Sequence, residues 1–365
     1  MRVWHVIHTL GDGGADRALT RLASQADPRR TKHTILALAP GPGHQTLPRR
    51  VRVHTLGGER SLAAAIAALR AIRTPPPDVI HGWVSFPSVV AAAFSAAEGI
   101  PLVLRQPTHI EAELRWNPDG VRGYWRELRA AFALADAVVV PSPVLEAGTR
   151  RVYGVRRVVP IPNAVEADVP SRWSSAARRG RPPFVVAMVG RLVEQKNPMM
   201  LLAALDRLGP ALDWELRVYG DGALRPAMEA FLAARGLQAR VRFMGFRQDW
   251  RADVSAFDAF ACPTRFEGMS NTLLEAAAAG LPIVTTDIPE NRFLLGPNEA
   301  LLVGPDDAEG FARALRRLAD EPGLAPALSE RARMLPVRFT STAMVRAHEA
   351  LYEELAAAGA ARRAA

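Results

Sequence analysis

The chain has 365 residues, of which 49 % are hydrophobic and 23 % charged, a balance typical of a soluble globular protein with two domains. A single cysteine, Cys262, excludes an internal disulfide framework, and no run of 18 apolar residues could form a transmembrane helix. The first residues, MRVWHVIHTLG, have no signal-peptide cleavage pattern, so we expect a cytoplasmic protein.

The formal net charge of +9 is distributed unevenly along the chain. Residues 1–165 hold 21 Arg or Lys and 12 Asp or Glu, whereas residues 166–365 hold 25 of each kind. The two halves are therefore expected to face different partners. Of the 46 basic residues 44 are Arg, and only Lys32 and Lys196 are Lys. Either these lysines survive by chance, or they mark places that need a compact ammonium rather than a planar guanidinium.

In chain order, the first half predicts seven strands with helices between them, including helices at 15–25 and 61–72. The loop GDGGAD follows the first strand and opens the first helix, and the glycines Gly13 and Gly14 would let backbone amides approach a phosphate or a sugar. This loop lacks the G-x-G-x-x-G spacing of dinucleotide-binding domains.

A Ser-, Arg- and Pro-rich segment at 163–181 predicts a linker, and a second series of six strands follows it. This order predicts two consecutive parallel α/β domains, at residues 1–165 and 182–338. An amphipathic helix at 341–355 is predicted within a C-terminal segment at 339–356, and the tail AAAGAARRAA is predicted to be disordered.

The loop after the strand FVVAMVG contains Arg191 and Lys196 and leads into a helix with Pro198 in its first turn. Fixed cations at such a position would stabilise the negative charge of a phosphate leaving group. Taken singly, each of the two would be interpreted as a surface residue.

The most informative run is FEGMSNTLLEAAAAGLPIVTTD, at 266–287. Its polar residues predict the start of a helix at 272–279, and Gly280 predicts a left-handed end to that helix. The unpaired first amides of a helix attract an anion, and Glu267 and Glu275 could accept hydrogen bonds from the hydroxyls of a sugar or a ribose. The alternative is that both are solvated surface carboxylates.

These motifs resemble those of the retaining glycosyltransferases of glycosyltransferase family four. The resemblance covers both halves of the chain and implies the GT-B architecture, an α/β fold of two Rossmann-like parallel-sheet domains facing a cleft. It further implies that the C-terminal helix crosses back to the first domain, that the acceptor binds in the first domain, and that the donor binds in the second.

The site residues follow from the same resemblance. It implies that Glu267 contacts the donor sugar and that Glu275 binds the ribose. The implied catalytic residues are His109 and Glu267, and the implied donor-binding residues are Gly13, Gly14, Arg191, Lys196, Gly268, Met269, Ser270, Asn271, Thr272 and Glu275. Two departures stand out. Asp16 occupies the usual Glu position of the glycine-rich loop. Arg105 with Gln106 leans toward another branch of the family, which has an Arg-Asn-type motif at that strand end, so the alignment of His109 is ambiguous.

The implied activity is transfer of a hexose from a nucleotide diphosphate to an acceptor hydroxyl, with retention of configuration and without a metal. Such reactions build cell-surface polysaccharides, glycolipids or glycoconjugates. The nucleotide-sugar donor is a substrate, and no cofactor is expected. The sequence has no Asp-x-Asp and no His/Cys/Asp cluster with metal-ligand spacing.

Two other functions and two kinds of acceptor remain open. A nucleotide-sugar epimerase would use the same donor site, and the pI of about 10.7 would suit a nucleic-acid-binding module, although no nucleic-acid motif is present and no such partner is expected. The run RWNPDGVRGYWRELR at 115–129 interleaves Arg with Trp and Tyr. It predicts either a surface helix with inward-packed aromatics or a patch that binds an anionic membrane surface, where a lipid-linked acceptor rather than a soluble one would be reached.

Overall fold

The computed structural model describes residues 1–11, 13–41, 47–57, 61–72, 75–116, 122–165, 173–174, 182–247 and 249–364. The chain divides into two compact units. Unit 1 consists of residues 1–163 together with 341–365, and unit 2 consists of residues 164–340.

Unit 1 is built on a seven-stranded parallel sheet with the order β3-β2-β1-β4-β5-β6-β7, which reverses between β1 and β4. The strands are β1 Arg2–Ile7, β2 Lys32–Ala37, β3 Arg52–Thr55, β4 Val79–Trp83, β5 Leu102–Arg105, β6 Ala137–Val140 and β7 Val158–Pro160. The helices are α1 Gly14–Gln25, α2 Leu62–Ala71, α3 Ser85–Glu98, α4 Ile110–Trp116, α5 Trp125–Leu134 and α6 Glu146–Tyr153, with α14 Ser341–Ala364 from the end of the chain. The central strands β4, β5 and β6 are buried throughout, as expected for parallel strands with helices on both faces.

The C-terminal helix α14 is longer than predicted. Residues 356–364 continue the helix, so the prediction of a disordered tail is wrong. The tail is rich in alanine, the strongest helix former, and extends a helix that already packs on α1 and β4. Near its end, Arg362 forms an ion pair with Asp136 at 3.0 Å.

Unit 2 is built on a six-stranded parallel sheet with the order β10-β9-β8-β11-β12-β13, which reverses between β8 and β11. The strands are β8 Phe184–Val189, β9 Trp214–Tyr219, β10 Val241–Gly245, β11 Ala259–Cys262, β12 Ile283–Thr286 and β13 Leu301–Val303. The helices are α7 Pro198–Asp206, α8 Arg225–Arg235, α9 Asn271–Ala278, α10 Pro289–Leu294, α11 Ala308–Asp320, α12 Leu324–Ala332 and α13 Leu335–Arg338. A buried apolar cluster lies on each face of this sheet.

The prediction of two parallel Rossmann-like domains is confirmed, and each of the thirteen predicted strands is present. Most of the predicted linker at 163–181 lies outside the described residues. Trp173, within that segment, does not behave as a linker residue: its indole is buried in unit 2 and donates to the carbonyl oxygen of Phe257 at 3.0 Å.

None of the helices that the structure describes is both long enough and apolar enough to cross a membrane.

Candidate active site

The site in unit 2 lies where the strand order of its sheet reverses. In parallel α/β sheets, the loops after the two strands at such a point turn to opposite faces and leave a crevice at the carboxyl ends. In unit 2 these strands are β8 and β11. The loop after β8 carries Arg191 and Lys196, and the loop after β11 carries Glu267 and leads into α9. Two motifs that are 71 residues apart in sequence are thereby brought to one place.

The two loops are joined by an ion pair between Lys196 and Glu267. The Lys196 ammonium donates to Glu267 Oε1, and the two side chains are only 18 % and 7 % exposed. The hydroxyl of Thr264 lies 3.1 Å from the same carboxylate oxygen. The stem of Lys196 runs past Gly190, where an added Cβ would stand 3.6 Å from three of its carbons. Lys196 is therefore held in a narrow space with its charge at the crevice.

Further hydrogen bonds, from backbone and side chains, fix the two loops to each other as well. Gln195 accepts from the amide of Arg265 through its carbonyl at 2.9 Å and donates through its side chain to the carbonyl of Phe266 at 3.1 Å. The Arg191 guanidinium lies 3.4 Å from Gln195 Oε1. Arg265 in turn forms an ion pair with Asp306 at 3.0 Å. The sequence reading did not single out Gln195, Arg265 or Asp306, because their roles depend on the pairing of the loops.

The helix α9 begins as the sequence predicts. The hydroxyl of Ser270 accepts from the amide of Leu273 at 3.3 Å and lies 3.2 Å from the hydroxyl of Thr272. Ser270 and Met269 are buried, so the first turn is anchored in the core of unit 2. α9 begins four residues after Glu267, and the partial positive charge of its amino end therefore lies near the carboxylate and ammonium pair.

Glu275 is not a solvated helix residue. It is 5 % exposed, and its Oε2 accepts from the indole of Trp250 at 3.3 Å. Trp250 is itself fully buried and stacks on Phe260 of β11 at 5.7 Å. A buried carboxylate held by a rigid aromatic donor keeps one orientation, which suits recognition of a ligand hydroxyl. No pattern in the sequence pointed to Trp250.

Cys262, at the end of β11, is buried as the sequence suggests. Burial raises the pKa of the Cys262 thiol, so the group stays protonated as part of the core.

Three of the predicted site residues belong to unit 1. Gly13 is the N-cap of α1, and Asp16 accepts from the amides of Gly13 at 3.0 Å and Gly11 at 3.2 Å. The aspartate at the usual glutamate position thus caps its own helix; Gly14 is the first helical residue. His109 follows β5 and is partly buried, and its Nδ1 has no hydrogen-bond partner among the described residues.

Arg105, the residue that made the position of His109 ambiguous, lies in the interior of unit 1. Its guanidinium donates to Asn163 at 2.7 Å and lies 5.1 Å from the ring centre of Trp83. Burial lowers the pKa of Arg105 to about 10. Arg105 is therefore a structural cation, and His109 is the more accessible basic group after β5.

Two family models match the chain, one in each unit. Residues 12–169 match the model for Glycosyltransferase Family 4, and residues 183–321 match the model for Glycosyl transferases group 1. Together they span most of the chain, and both name the same class of enzyme. The chain belongs to the family-four glycosyltransferases.

The relatives of this glycosyltransferase agree with that assignment. The lipopolysaccharide core biosynthesis glycosyltransferase LpsE of Rhizobium meliloti is 28 % identical over 350 residues, 91 % of this chain and 92 % of LpsE. An Escherichia coli protein named UDP-Gal:alpha-D-GlcNAc-diphosphoundecaprenol alpha-1,3-galactosyltransferase is 25 % identical over 72 % of this chain and 71 % of its own length. The predicted enzyme class is confirmed, and the epimerase alternative has no support among these relatives.

Solved structures support the fold of the glycosyltransferase. Anabaena HepE in complex with UDP superposes with a TM-score of 0.79 at 19 % identity, covering 97 % of this chain and 99 % of HepE. Sucrose-phosphate synthase from Thermosynechococcus elongatus gives a TM-score of 0.82 at 20 % identity, covering 98 % and 99 %. The predicted GT-B fold class is confirmed.

Proposed function

We propose that this glycosyltransferase moves a sugar from a nucleotide diphosphate to an acceptor hydroxyl with retention of configuration, without a metal or a cofactor. The observation that carries the proposal is the Lys196–Glu267 pair, placed where the strand order of unit 2 reverses and directly before the amino end of α9. Cation, carboxylate and helix amides lie together there, and a sugar diphosphate has complementary groups for each of them.

In this proposal the diphosphate binds to the first amides of α9, around Gly268, Met269, Ser270, Asn271 and Thr272. Lys196 and Arg191 complete its binding site. An ammonium has three N–H donors, so the bond from Lys196 to Glu267 leaves others for phosphate oxygens. These groups stabilise the charge that develops on the leaving diphosphate.

The two carboxylates take different parts of the donor. Glu267, fixed by Lys196 and close to the hydroxyl of Thr264, accepts hydrogen bonds from hydroxyls of the transferred sugar. Glu275 lies in the second turn of α9 and accepts from the ribose hydroxyls, with its orientation set by Trp250.

The chemical step needs no side chain of the protein as a base, because the departing diphosphate accepts the proton of the acceptor hydroxyl. The bond between the anomeric carbon and the diphosphate oxygen breaks, and the diphosphate keeps the electron pair. The acceptor oxygen bonds to the anomeric carbon from the same face, and its proton passes to the departing phosphate oxygen. Retention of configuration follows, because attack and departure occur on one face of the sugar.

Metal independence is part of the proposal. Within the described ranges, no group of three His, Cys, Asp or Glu side chains is arranged to hold a metal ion. The roles that a divalent cation would otherwise fill fall to Lys196 and Arg191.

The acceptor is proposed to be a growing cell-surface glycan, lipid-linked or soluble, because LpsE is named for lipopolysaccharide core biosynthesis. A peripheral membrane patch is proposed at 115–129, of which 117–121 lie outside the described residues. Trp125 packs on Tyr153 at 5.7 Å and Tyr124 on Phe86 at 6.2 Å, so both face inward. Trp116 is 38 % exposed, and with the surrounding arginines it could seat at a membrane interface.

The proposal is tested by donor turnover in EDTA with water as the acceptor, following the first-formed sugar anomer by proton NMR. We expect UDP to bind among a panel of nucleoside diphosphates and the released sugar to keep the donor's configuration. Lys196→Ala should lower turnover by a factor on the order of 10² or more. The control Arg313→Ala removes an exposed cation from α11 and should leave turnover unchanged. An inverted anomer, or activity that EDTA abolishes, would refute the mechanism.

A further inference from the structure

A second basic site lies in unit 1, at the opposite end of its sheet from the loops that carry Gly13 and His109. It is a pocket of about 470 Å³. It is formed where β1, β2 and β3 begin, at Arg2, Lys32 and Arg52. Since the loops at the carboxyl ends of a parallel sheet form its ligand crevice, a pocket at the amino ends is separate from the reaction site.

The register of the sheet concentrates positive charge on one face of this pocket. Arg2 stands directly opposite Lys32, and Arg52 stands opposite Thr34, two residues further along β2. Residues paired in this way, and those two apart on one strand, point to the same face. Like charges placed opposite each other on neighbouring strands are destabilising, so this arrangement has a cost that a bound anion would remove.

Among the described residues, acidic side chains offset only part of the charge of the cluster. Asp78 accepts from the amide of Arg2 at 2.7 Å and lies 3.5 Å from its guanidinium, so it offsets one charge. Over the part of the chain described here, neither Lys32 nor Arg52 has a carboxylate within ion-pair distance. Lys32 is also one of the only two lysines in the sequence, and the other, Lys196, lies in the donor site.

Two of the cations are held by neutral groups. Arg2 Nε donates to the carbonyl of Pro76 at 2.8 Å, and Arg50 donates to the carbonyl of Ser24. A carbonyl fixes the direction of a guanidinium without cancelling its charge. Among the described residues, the Arg50 guanidinium therefore keeps its charge for a charge-assisted bond to a ligand, whereas that of Arg2 is shared with Asp78.

Besides the cations, the pocket has a mostly apolar lining. Trp4 and Thr34 line it and are buried, and Trp4 stacks on Phe94 at 5.8 Å. Its volume lies within the range of small-molecule pockets, about 300–1,000 Å³. A combination of Arg and Lys with an apolar lining suits a phosphate ester, whose charged head meets the cations while its organic part covers the apolar lining.

We propose that this pocket binds a phosphate group, supplied either by a free phosphorylated compound or by a phospholipid headgroup. The site is independent of the donor site and of the proposed reaction. Bound phosphate would bridge Lys32 and Arg52 with Arg2 and Arg50 beside them.

The test uses the full chain in a Lys196→Ala background, so that phosphate binding at the donor site is suppressed. Calorimetry with pyrophosphate probes the free-phosphate arm, and sedimentation with phosphatidylglycerol vesicles, against phosphatidylcholine vesicles, probes the headgroup arm. The pocket variant is Lys32→Ser with Arg52→Ser. Its matched control is Arg29→Ser with Arg156→Ser, which removes two exposed charges from the same unit outside the pocket.

We expect the pocket variant to weaken binding of one of the two probes at least 10-fold and the control to change it less than 2-fold. Loss of pyrophosphate binding identifies a free phosphorylated ligand, and loss of vesicle binding alone identifies a headgroup. The charge-preserving pair Lys32→Arg with Arg52→Lys should retain most of the binding, which separates loss of charge from loss of fold. Failure of the parent protein to bind either probe, or equal weakening in pocket variant and control, would overturn the proposal.

Discussion

A lysine and an arginine at position 196 would carry the same charge but would not occupy the same space. The Lys196 stem runs past Gly190, and its ammonium ends on Glu267. A guanidinium is broader and planar, and its charge is spread over three nitrogens rather than concentrated at one point. The preference for Lys here, in a chain that uses Arg almost everywhere else, then has a geometric reason.

We therefore predict that Lys196→Arg lowers kcat on the order of 10-fold or more while the protein stays folded. The wider group displaces Glu267, which should raise KM for the intact sugar donor more than it weakens binding of free UDP. Steady-state kinetics together with UDP calorimetry separate the two effects. Full activity in this variant would show that charge alone is required at position 196.

Trp250 supplies a second prediction, because its indole is the buried donor to Glu275. Trp250→Phe keeps an aromatic ring against Phe260 but removes the N–H, so Glu275 loses the hydrogen bond that Trp250 donates. Nucleoside diphosphate binding should weaken by a factor on the order of 10, as expected for one hydrogen bond to a charged group. Glu275→Ala should weaken it at least as much, and the double variant should add little to the single ones. Additive losses would mean that Trp250 acts through packing rather than through Glu275.

At the level of the element, the sequence predicts α9 well and its surroundings poorly. The cap at Ser270, the end at Gly280 and the strand that follows come from local turn and capping rules, and the structure has them. What packs against the helix could not be predicted, since Trp250 and Trp173 reach it from distant parts of the chain. The length of α14 could not be predicted either. The local pattern predicts a helix that ends at residue 355, whereas the helix that packs on unit 1 continues to Ala364.

Gly280 gives a test of that difference between local and tertiary effects. Its φ is +75°, and an added Cβ would stand 2.1 Å from Nε of Arg333. The Nη2 of the same guanidinium donates to the carbonyl of Trp173. Gly236, at the end of α8, has a similar φ of +67° but open space around it. Gly236→Ala should cost about 1 kcal/mol of unfolding free energy for the left-handed backbone alone. Gly280→Ala should cost about 1–2 kcal/mol more because Arg333 must move. Equal losses in urea denaturation would contradict the tertiary contribution.

At the level of the whole molecule, the two units differ in their content of histidine. All eight histidines lie in segments that belong to unit 1, and the sequence of unit 2 has none. The sheet and α14 bring His5, His33, His81 and His348 into one buried cluster. His5 Nε2 lies 2.8 Å from His33 Nδ1, within hydrogen-bond distance. His81 Nδ1 lies 2.7 Å from the hydroxyl of Tyr352. No sequence pattern reveals this cluster, because its members come from three strands and a helix.

Burial holds all four imidazoles neutral, and the Arg105 guanidinium adds repulsion at His81 and His348. Burial lowers the pKa of His33 to about 4 and that of His348 to about 3, and it places the pKa values of His5 and His81 well below the usual value. In the unfolded chain the same groups take up protons near pH 6.5. Their contribution to stability is thus complete above pH 6.5 and is lost as the pH falls from there toward the folded-state values.

We predict that acidification destabilises unit 1 selectively. Each histidine that is neutral in the fold and protonated in the unfolded chain costs about 1.4 kcal/mol per pH unit below 6.5. Urea titrations at pH 7.5 and 5.0, read by pulse proteolysis and mass spectrometry of the fragments, report the two units separately. Between these pH values the urea midpoint of unit 1 should fall sharply, whereas that of unit 2 should change little.

The variant His348→Phe removes one ionisable group from the buried cluster. It should flatten the pH dependence of the stability of unit 1, even if it also lowers stability at pH 7.5. If both units lost stability in parallel, the cause would lie in surface charge shared by the whole chain and not in the buried cluster.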